Sequence, residues 1–466
     1  MNYPKLRRRK VRLFDFSKGL DASRSTNLYP ERAATCFNFR YSDGALKDGE
    51  GIKKFSVLGD PPTFNGIEPE KVYYYKRYDY INECDDDRII IYGDNKKMYV
   101  KSAFDDEDYS VISGLQFDLP PQGVCYKLNG EDVMLFSSGQ RVYVYDGSTV
   151  SDHAAPEITS MLVYNERLFV TTGGESTTLW FSENFDPTNF YVSSEEAGFI
   201  DFQDGKGKLL KIVESDGYAY VFRSYGITRV YAPFDQSEFT AANVEADNVR
   251  IIGNSIVDCG RKTIYLTDNG FYSFAAGYPT RILKELDNML KGCDNEKIVA
   301  EFFNGRYYAK LNLKVDKKPY VVTLSYDVSS GEFYLIKGFE PIDMLSVQGS
   351  DENYMLVLIK GGNVIYKRVD EAVFDDKRLT KTFQTPFTDF YRQERKTLAK
   401  ISLLSATDAV IKVFSDEGEK SVRLFGGKGV KTQTVGLKGV NFSVMIESVM
   451  PAADISNVTL EFTEIV

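Results

Sequence analysis

Arg167-Leu168-Phe169-Val170-Thr171-Thr172-Gly173-Gly174-Glu175-Ser176-Thr177-Thr178-Leu179-Trp180-Phe181-Ser182 is the stretch whose reading decides the fold. Both arms are rich in aromatic and aliphatic residues, and they meet at a glycine pair that can supply the positive φ of a tight turn; this is the composition of a β-hairpin. The first arm reaches back to Met161 through a turn at Asn165-Glu166. Trp180, the single tryptophan, closes the second arm. Asp186-Pro187 then forces a turn, because proline fixes its own φ and biases the preceding residue away from helix.

Similar sets lie on either side. Upstream, Tyr73 to Tyr78, Arg88 to Tyr92 and Lys97 to Lys101 form one set, and Gly123 to Leu128, Asp132 to Ser137 and Arg141 to Tyr145 another. Downstream, strand pairs turn at Asp216-Gly217, Asp268-Asn269-Gly270, Asn304-Gly305 and Gly361-Gly362. The sets recur every ~40 to 50 residues, the period of a propeller blade. This spacing predicts an all-β chain with a β-propeller of roughly six or seven blades. A two-sheet architecture built from the same strands competes with it, and sustained repetition favours the propeller. Helical spacing occurs only at Ile282, Leu283, Leu286, Met289 and Leu290, with Gly292 placed as a terminator.

The pattern changes after Val369. Glu371 to Lys381 is charged and reads as a linker, and the strands that follow, from Thr397 to Phe462, read as a separate antiparallel β-sandwich. The expected organisation is therefore 1–55 as a basic arm and platform segment, 56–370 as the propeller, and 371–466 as the sandwich.

Composition excludes several classes of function. The chain has 466 residues, 43% of them hydrophobic, which suffices for a large core. No apolar run approaches the roughly 20 residues that span a bilayer, so no membrane span and a cytoplasmic site of synthesis are expected. The cysteines Cys36, Cys84, Cys125, Cys259 and Cys293 are scattered and never form a C-x-x-C pair, which suggests neither a disulfide framework nor zinc and favours small core residues. The single histidine, His153, reads as part of a polar turn, Ser151-Asp152-His153-Ala154, and would have to carry any histidine-based triad alone. Gly426-Gly427-Lys428-Gly429-Val430-Lys431-Thr432 lacks the Gly-Lys-Ser/Thr order of a phosphate loop. No catalytic residue, metal or cofactor is expected.

Two charged features remain. The cluster Lys5, Arg7, Arg8, Arg9, Lys10 and Arg12 stands out in a chain of net charge −10; it reads either as a docking arm for an acidic neighbour or nucleic acid, or as a disordered solvated tail. The runs Asp85-Asp86-Asp87 and Asp105-Asp106-Glu107-Asp108 hold enough carboxylates for a glycosidase pair or a calcium site. Neither has calcium-loop spacing, and both read first as solvated connections.

Four places in the chain resemble the tail nozzle and packaged-DNA stabilisation proteins of tailed bacteriophages. They are Phe16-Ser17-Lys18-Gly19-Leu20-Asp21 with Pro30-Glu31-Arg32-Ala33 and Asn38; Asn165, Arg167-Leu168-Phe169 and Trp180-Phe181-Ser182 before Asp186-Pro187 and Phe190; Tyr220-Val221-Phe222 through Asp268-Asn269-Gly270-Phe271-Tyr272; and Phe390 with Lys396. That family often has a second glycine where this chain has Lys18. The resemblance implies a structural virion protein that forms a ring, typically of six copies, below the portal and its adaptor. Genomic DNA would be retained and then conducted through it without sequence-specific binding. The acidic runs become candidates for the lining of that passage. A tail-tip propeller that binds or cleaves host surface glycans is the alternative.

Overall fold

Asn165 and Glu166 both adopt positive φ, 46° and 65°, and this two-residue turn sets Ile158–Tyr164 antiparallel to Arg167–Thr172. The hairpin grows outward by Thr178–Phe181 and then by Gly198–Asp201, giving a four-stranded antiparallel sheet. The computed structural model describes residues 6–13, 20, 33–42, 44–58, 66–104, 108–174, 176–191, 196–244, 247–315, 317–349 and 352–465. Lys5, Asp105, Asp106, Glu107 and most of the Phe16–Asp21 and Pro30–Arg32 segments lie outside the described residues.

The same meander occurs seven times. The first strands of the seven sheets are Pro69–Tyr75, Gln122–Leu128, Ile158–Tyr164, Leu209–Ser215, Ile251–Asp258, Ala300–Phe303 and Pro341–Val347, which we number as blades 1 to 7. Each first strand touches the first strand of the next blade, and Pro341–Val347 returns to touch Pro69–Tyr75, so the circuit closes. The molecule is therefore a seven-bladed β-propeller with these strands around its axis. Blades 1 to 6 are each built from consecutive chain. Blade 7 is not: its fourth strand is Gly51–Val57, which pairs antiparallel with Val364–Val369 and locks the ring by joining distant parts of the sequence.

Aromatic side chains fill the spaces between blades. Tyr73 and Phe136 meet edge-to-face at 5.3 Å between blades 1 and 2, and Tyr220 and Phe274 do so at 4.7 Å between blades 4 and 5. Each such buried ring contributes about 1.5–3 kcal/mol through burial, with a smaller increment from ring geometry. The 31 tyrosines and 32 phenylalanines find much of their use here. Helix among the described residues is confined to single turns at Gln236–Glu238 and Lys284–Leu286, the latter followed by Asp287–Leu290, with Gly292 at φ 68° just beyond.

The sandwich is made from both ends of the chain. Its six-stranded sheet joins Leu6–Leu13, Phe39–Ser42 and Ala45–Asp48 to Lys396–Ser405, Val430–Gly439 and Asp454–Ile465. Its five-stranded sheet joins Thr35–Phe37 to Lys381–Gln384, Ala409–Ser415, Gly418–Leu424 and Phe442–Ser448. Leu6–Leu13 pairs residue for residue with Asp454–Ile465, so this part of the basic cluster is an edge strand and the disordered-tail reading does not hold for it. The Glu371–Lys381 stretch is not a free linker either, because Phe374 bridges in parallel to Ile52 and Val373–Phe374 pairs with Lys377–Arg378 on the edge of blade 7. One apolar core runs without a break from Leu398, Ile411, Phe442 and Phe462 of the sandwich into Ile264, Phe271, Leu311 and Leu324 of blades 5 and 6.

Where the chain crosses between the two bodies, the backbone is packed too closely for side chains. A Cβ on Gly51 would lie 2.0 Å from the Val373 carbonyl oxygen, and one on Gly49 would lie 2.6 Å from that of Asn38. Between and beside these glycines, Asp48 pairs with Lys381 at 2.5 Å and Glu50 pairs with Arg368. The Lys381 side chain is wholly buried and Glu50 is 2% exposed. Apolar packing and buried ion pairs thus hold the same joint.

Candidate functional site

A cavity of about 630 Å³ lies on the propeller axis, lined by residues of all seven first strands. Four of those strands carry the same local device. In blades 1, 3, 4 and 7, two residues oppose one on the neighbouring strand, with the extra residue at Glu70, Thr159, Leu210 and Ile342. Such a bulge bends a strand and redirects the side chain after it. The residues that follow are Lys71, Ser160, Lys211 and Asp343, and all four line the cavity together with Glu301 of blade 6.

The charges on the axis are held without tight ion pairs. Asp343 accepts the Val72 N–H at 2.8 Å, and the Lys211 ammonium donates to the Ile256 carbonyl at 2.7 Å. Lys71 lies 5.7 Å from the centre of the Tyr73 ring. Burial raises Glu301 to about 7, with the Asp343 carboxylate adding to the rise and Lys211 opposing it. Burial likewise raises Asp343 to about 6 against the pull of Lys71 and of the Val72 and Met344 N–H groups. Lys211 is lowered by burial, and Glu301 and Asp258 only partly restore it. Burial thus favours the neutral form of both carboxyl groups and of Lys211. Perturbed groups in a cleft mark a candidate site.

Sequence reading did not single out these four residues. The signal available was a charged side chain inside an otherwise apolar first strand, as in Val72-Tyr73-Tyr74 after Lys71 or Ile212-Val213 after Lys211. A linear reading takes such a residue as facing solvent; only closure of the ring turns it inward.

The residues singled out from sequence lie elsewhere. Asp87 is 4% exposed and accepts bonds from the Tyr74 hydroxyl and, at 2.8 Å, the Arg77 N–H. Asp86 is bridged by Arg77 and, at 2.7 Å, by Arg88. Asp85 and Asp108 are exposed. In the basic cluster, Arg9 is drawn into the sandwich edge, donating to Glu464 and to the Phe390 carbonyl at 2.9 Å each, with its guanidinium 5.4 Å from the Phe462 ring centre. Arg7, Arg8, Lys10 and Arg12 remain exposed. His153 is exposed on the outer strand Val150–Ala154 rather than in a turn. All five cysteines are free; Cys36 and Cys259 are buried, whereas Cys84 is exposed and so is no core residue.

Two residues of the opening stretch have distinct surroundings. Arg167 is 1% exposed and has no carboxylate against it among the described residues; it donates to the Ser182 carbonyl at 2.8 Å and to the Glu196 and Phe234 carbonyls, with the Phe181 and Phe239 rings beside it. It fastens the loop after blade 3's third strand to the connection between the third and fourth strands of blade 4. Trp180 sits on the rim of blade 3, 5.1 Å from Phe199 and 5.6 Å from Tyr191, both more than half exposed.

No family model matches the chain, and no curated protein matches it. Among solved structures it is similar to BBS1N in complex with ARL6DN, at 13% identity over 69% of this chain and 98% of that one, with a TM-score of 0.45. It is also similar to the AfRom2 CNH domain, at 8% identity over 68% of this chain and 99% of that one, with a TM-score of 0.41. Among the described residues, no helix is long and apolar enough to cross a membrane, and no group of three or more His, Cys, Asp or Glu could hold a metal ion.

Proposed function

We propose that this chain is a structural virion protein of a tailed bacteriophage, assembled as a ring on the tail axis, where it retains packaged DNA and conducts it during ejection. The four motif clusters that resemble the nozzle family suggest this reading. The observation that carries it furthest is mechanical. Gly51–Val57 closes the propeller, Leu6–Leu13 closes the sandwich against Asp454–Ile465, and a single apolar core joins the two bodies. Such a subunit transmits load as one piece, as a ring around pressurised DNA requires. Its partners would be other copies, assembled on the portal and adaptor as template; lateral contacts would each bury on the order of 1,600 Å². Imaging of purified particles tests the proposal: an axial ring of this chain, with six copies expected, supports it, and a monomer in the mature particle refutes it.

The glycan-binding alternative has one observation in its favour, the exposed Tyr191 and Phe199 rings against the half-buried Trp180, since aromatic faces stack on sugars. Titration of the protein with host surface glycans, followed by tryptophan fluorescence, distinguishes the two. A saturable change abolished by Phe199→Ala would favour the glycan reading, and an unchanged signal would favour the ring.

A further inference from the structure

The outer face of the six-stranded sheet is basic in a chain that is acidic overall. Val11 and Leu13 point into the core, so Arg8, Lys10 and Arg12 share the opposite face of their strand. The strand register arranges that face in rows. Arg8 stands beside Thr463, which stands beside Thr397; Lys10 beside Glu461, then Lys400, then Thr434; and Arg12 beside Thr459, then Ser402, then Thr432. Leu398, Ile401, Val458, Leu460 and Phe462 are buried beneath them, which confirms the alternation. Glu461 is the only acid in these rows; its side chain is 18% exposed and lies 3.8 Å from Arg8.

We infer that this sheet face binds the phosphate backbone of duplex nucleic acid without reading its sequence. Three observations favour that occupant. Arginine, lysine and hydroxyl side chains are the groups that contact phosphates, and here they alternate across strands. Successive outward side chains on one strand are ~7 Å apart and neighbouring strands ~4.8 Å apart, so the cations form a two-dimensional array able to meet several phosphates at once. None of the residues in the three rows is aromatic, so the stacking platform that single strands require is missing. The inference deepens the proposed role, in that its place in a particle rests on that reading, but binding by the isolated protein does not.

Arg8, Lys10, Arg12 and Lys400 supply four cations. Four phosphate contacts give a slope of log affinity on log salt of about −3.6, a loss of roughly 100-fold between 50 and 200 mM salt. The test measures binding of the full-length protein to a labelled 30-base-pair duplex of mixed sequence, by fluorescence anisotropy across that salt range. Lys10→Glu with Lys400→Glu should weaken binding at least 10-fold at 50 mM and flatten the slope by about two. Glu461→Gln should act in the opposite direction, tightening binding several-fold, which a merely structural role would not produce. Lys360→Glu, a charge change of the same kind on an exposed residue of blade 7, should leave binding unchanged. The inference is overturned if Lys360→Glu weakens binding as much as the paired variant, or if neither the paired variant nor Glu461→Gln moves it. It is also overturned if the paired variant binds DNA normally yet fails to enter particles, which would identify an acidic protein as the occupant. An unchanged DNA affinity in a protein that does form the axial ring would sink this inference alone; normal DNA binding by a protein absent from particles would sink the ring alone.

Discussion

The joint between sandwich and propeller and the axis of the propeller both take ionisable side chains out of water, and they do so in opposite ways. At the joint, each carboxylate meets a cation directly, Asp48 with Lys381 and Glu50 with Arg368, and the Tyr308 hydroxyl donates to Glu50 as well. On the axis, Glu301 and Asp343 rely on backbone N–H groups and more distant amines, and burial pushes both towards protonation. At the joint the charges are directly paired; on the axis burial favours the protonated carboxyl groups. The difference follows from who supplies the partners. Two chain crossings run side by side at the joint and can place opposite charges in contact, whereas the axial charges come from separate strands around a gap shared by seven blades.

Breaking the joint should therefore have the largest effect. Asp48→Ala leaves the Lys381 ammonium buried with only the Met450 carbonyl beside it, and the expected loss is about 3–5 kcal/mol in a urea titration. Replacing Asp48 and Lys381 together with apolar residues should recover much of that loss, because the cost lies in the unpaired charge. A smaller effect, about 1–3 kcal/mol, is expected for Gly51→Ala, whose Cβ has no room beside the Val373 backbone. That variant should also loosen the parallel bridge from Ile52 to Phe374, seen as faster amide exchange on the edge of blade 7.

The axis should show itself in pH dependence. A carboxyl whose pKa is raised on folding binds its proton in the folded state after the unfolded chain has released it. Its stabilising contribution is then complete below about pH 4 and is lost as pH rises through about 6 for Asp343 and about 7 for Glu301. Glu301→Gln should match the wild type in acid and exceed it at pH 8, by about 1 kcal/mol once water in the half-buried cavity is allowed for. Asp204 gives the opposite sign. The buried Arg223 beside it holds its carboxyl well below the usual range, so its contribution is present above about pH 4 and lost in acid, and Asp204→Asn should be less stable than wild type at pH 8. Melting curves at pH 3 and 8 for both variants check the signs.

The propeller was legible because its information is local. Asn165-Glu166, Asp216-Gly217 and Asn304-Gly305 all turn with positive φ where the sequence placed them, and the apolar strands flanking them pair accordingly. The outer strands were not legible: Val150–Ala154, Gly198–Asp201 and Thr240–Val244 are largely exposed, so no apolar pattern marks them. Gly51–Val57 and Leu6–Leu13 escaped for another reason. Their partners lie hundreds of residues away, and no local rule reports a strand that pairs across the whole chain. The axial charges share that difficulty, since their meeting depends on ring closure. The acidic run was half legible: it was read as a solvated connection, and only Asp85 of its three residues is exposed.

That run supplies the smallest expected effect and sharpens the contrast between charges that hold structure and charges that face outward. Asp85 has neither a buried partner nor a role in the blade, so Asp85→Lys should change stability by less than about 0.5 kcal/mol. Its electrostatic consequence is separate from its stability. If the exposed acids Asp85 and Asp108 face passing DNA in a ring, two charge reversals repeated around six copies would add a band of cations to the passage, each able to pair with phosphate and release counterions. Screening over ~8 Å at physiological ionic strength confines the effect to residues that approach the DNA closely. Particles carrying Asp85→Lys and Asp108→Lys should then assemble normally and release DNA more slowly, most clearly at low salt. Release kinetics that match the wild type across a salt series would show that these two residues lie away from the DNA, and would leave the basic sheet face as the surface where charge and nucleic acid meet.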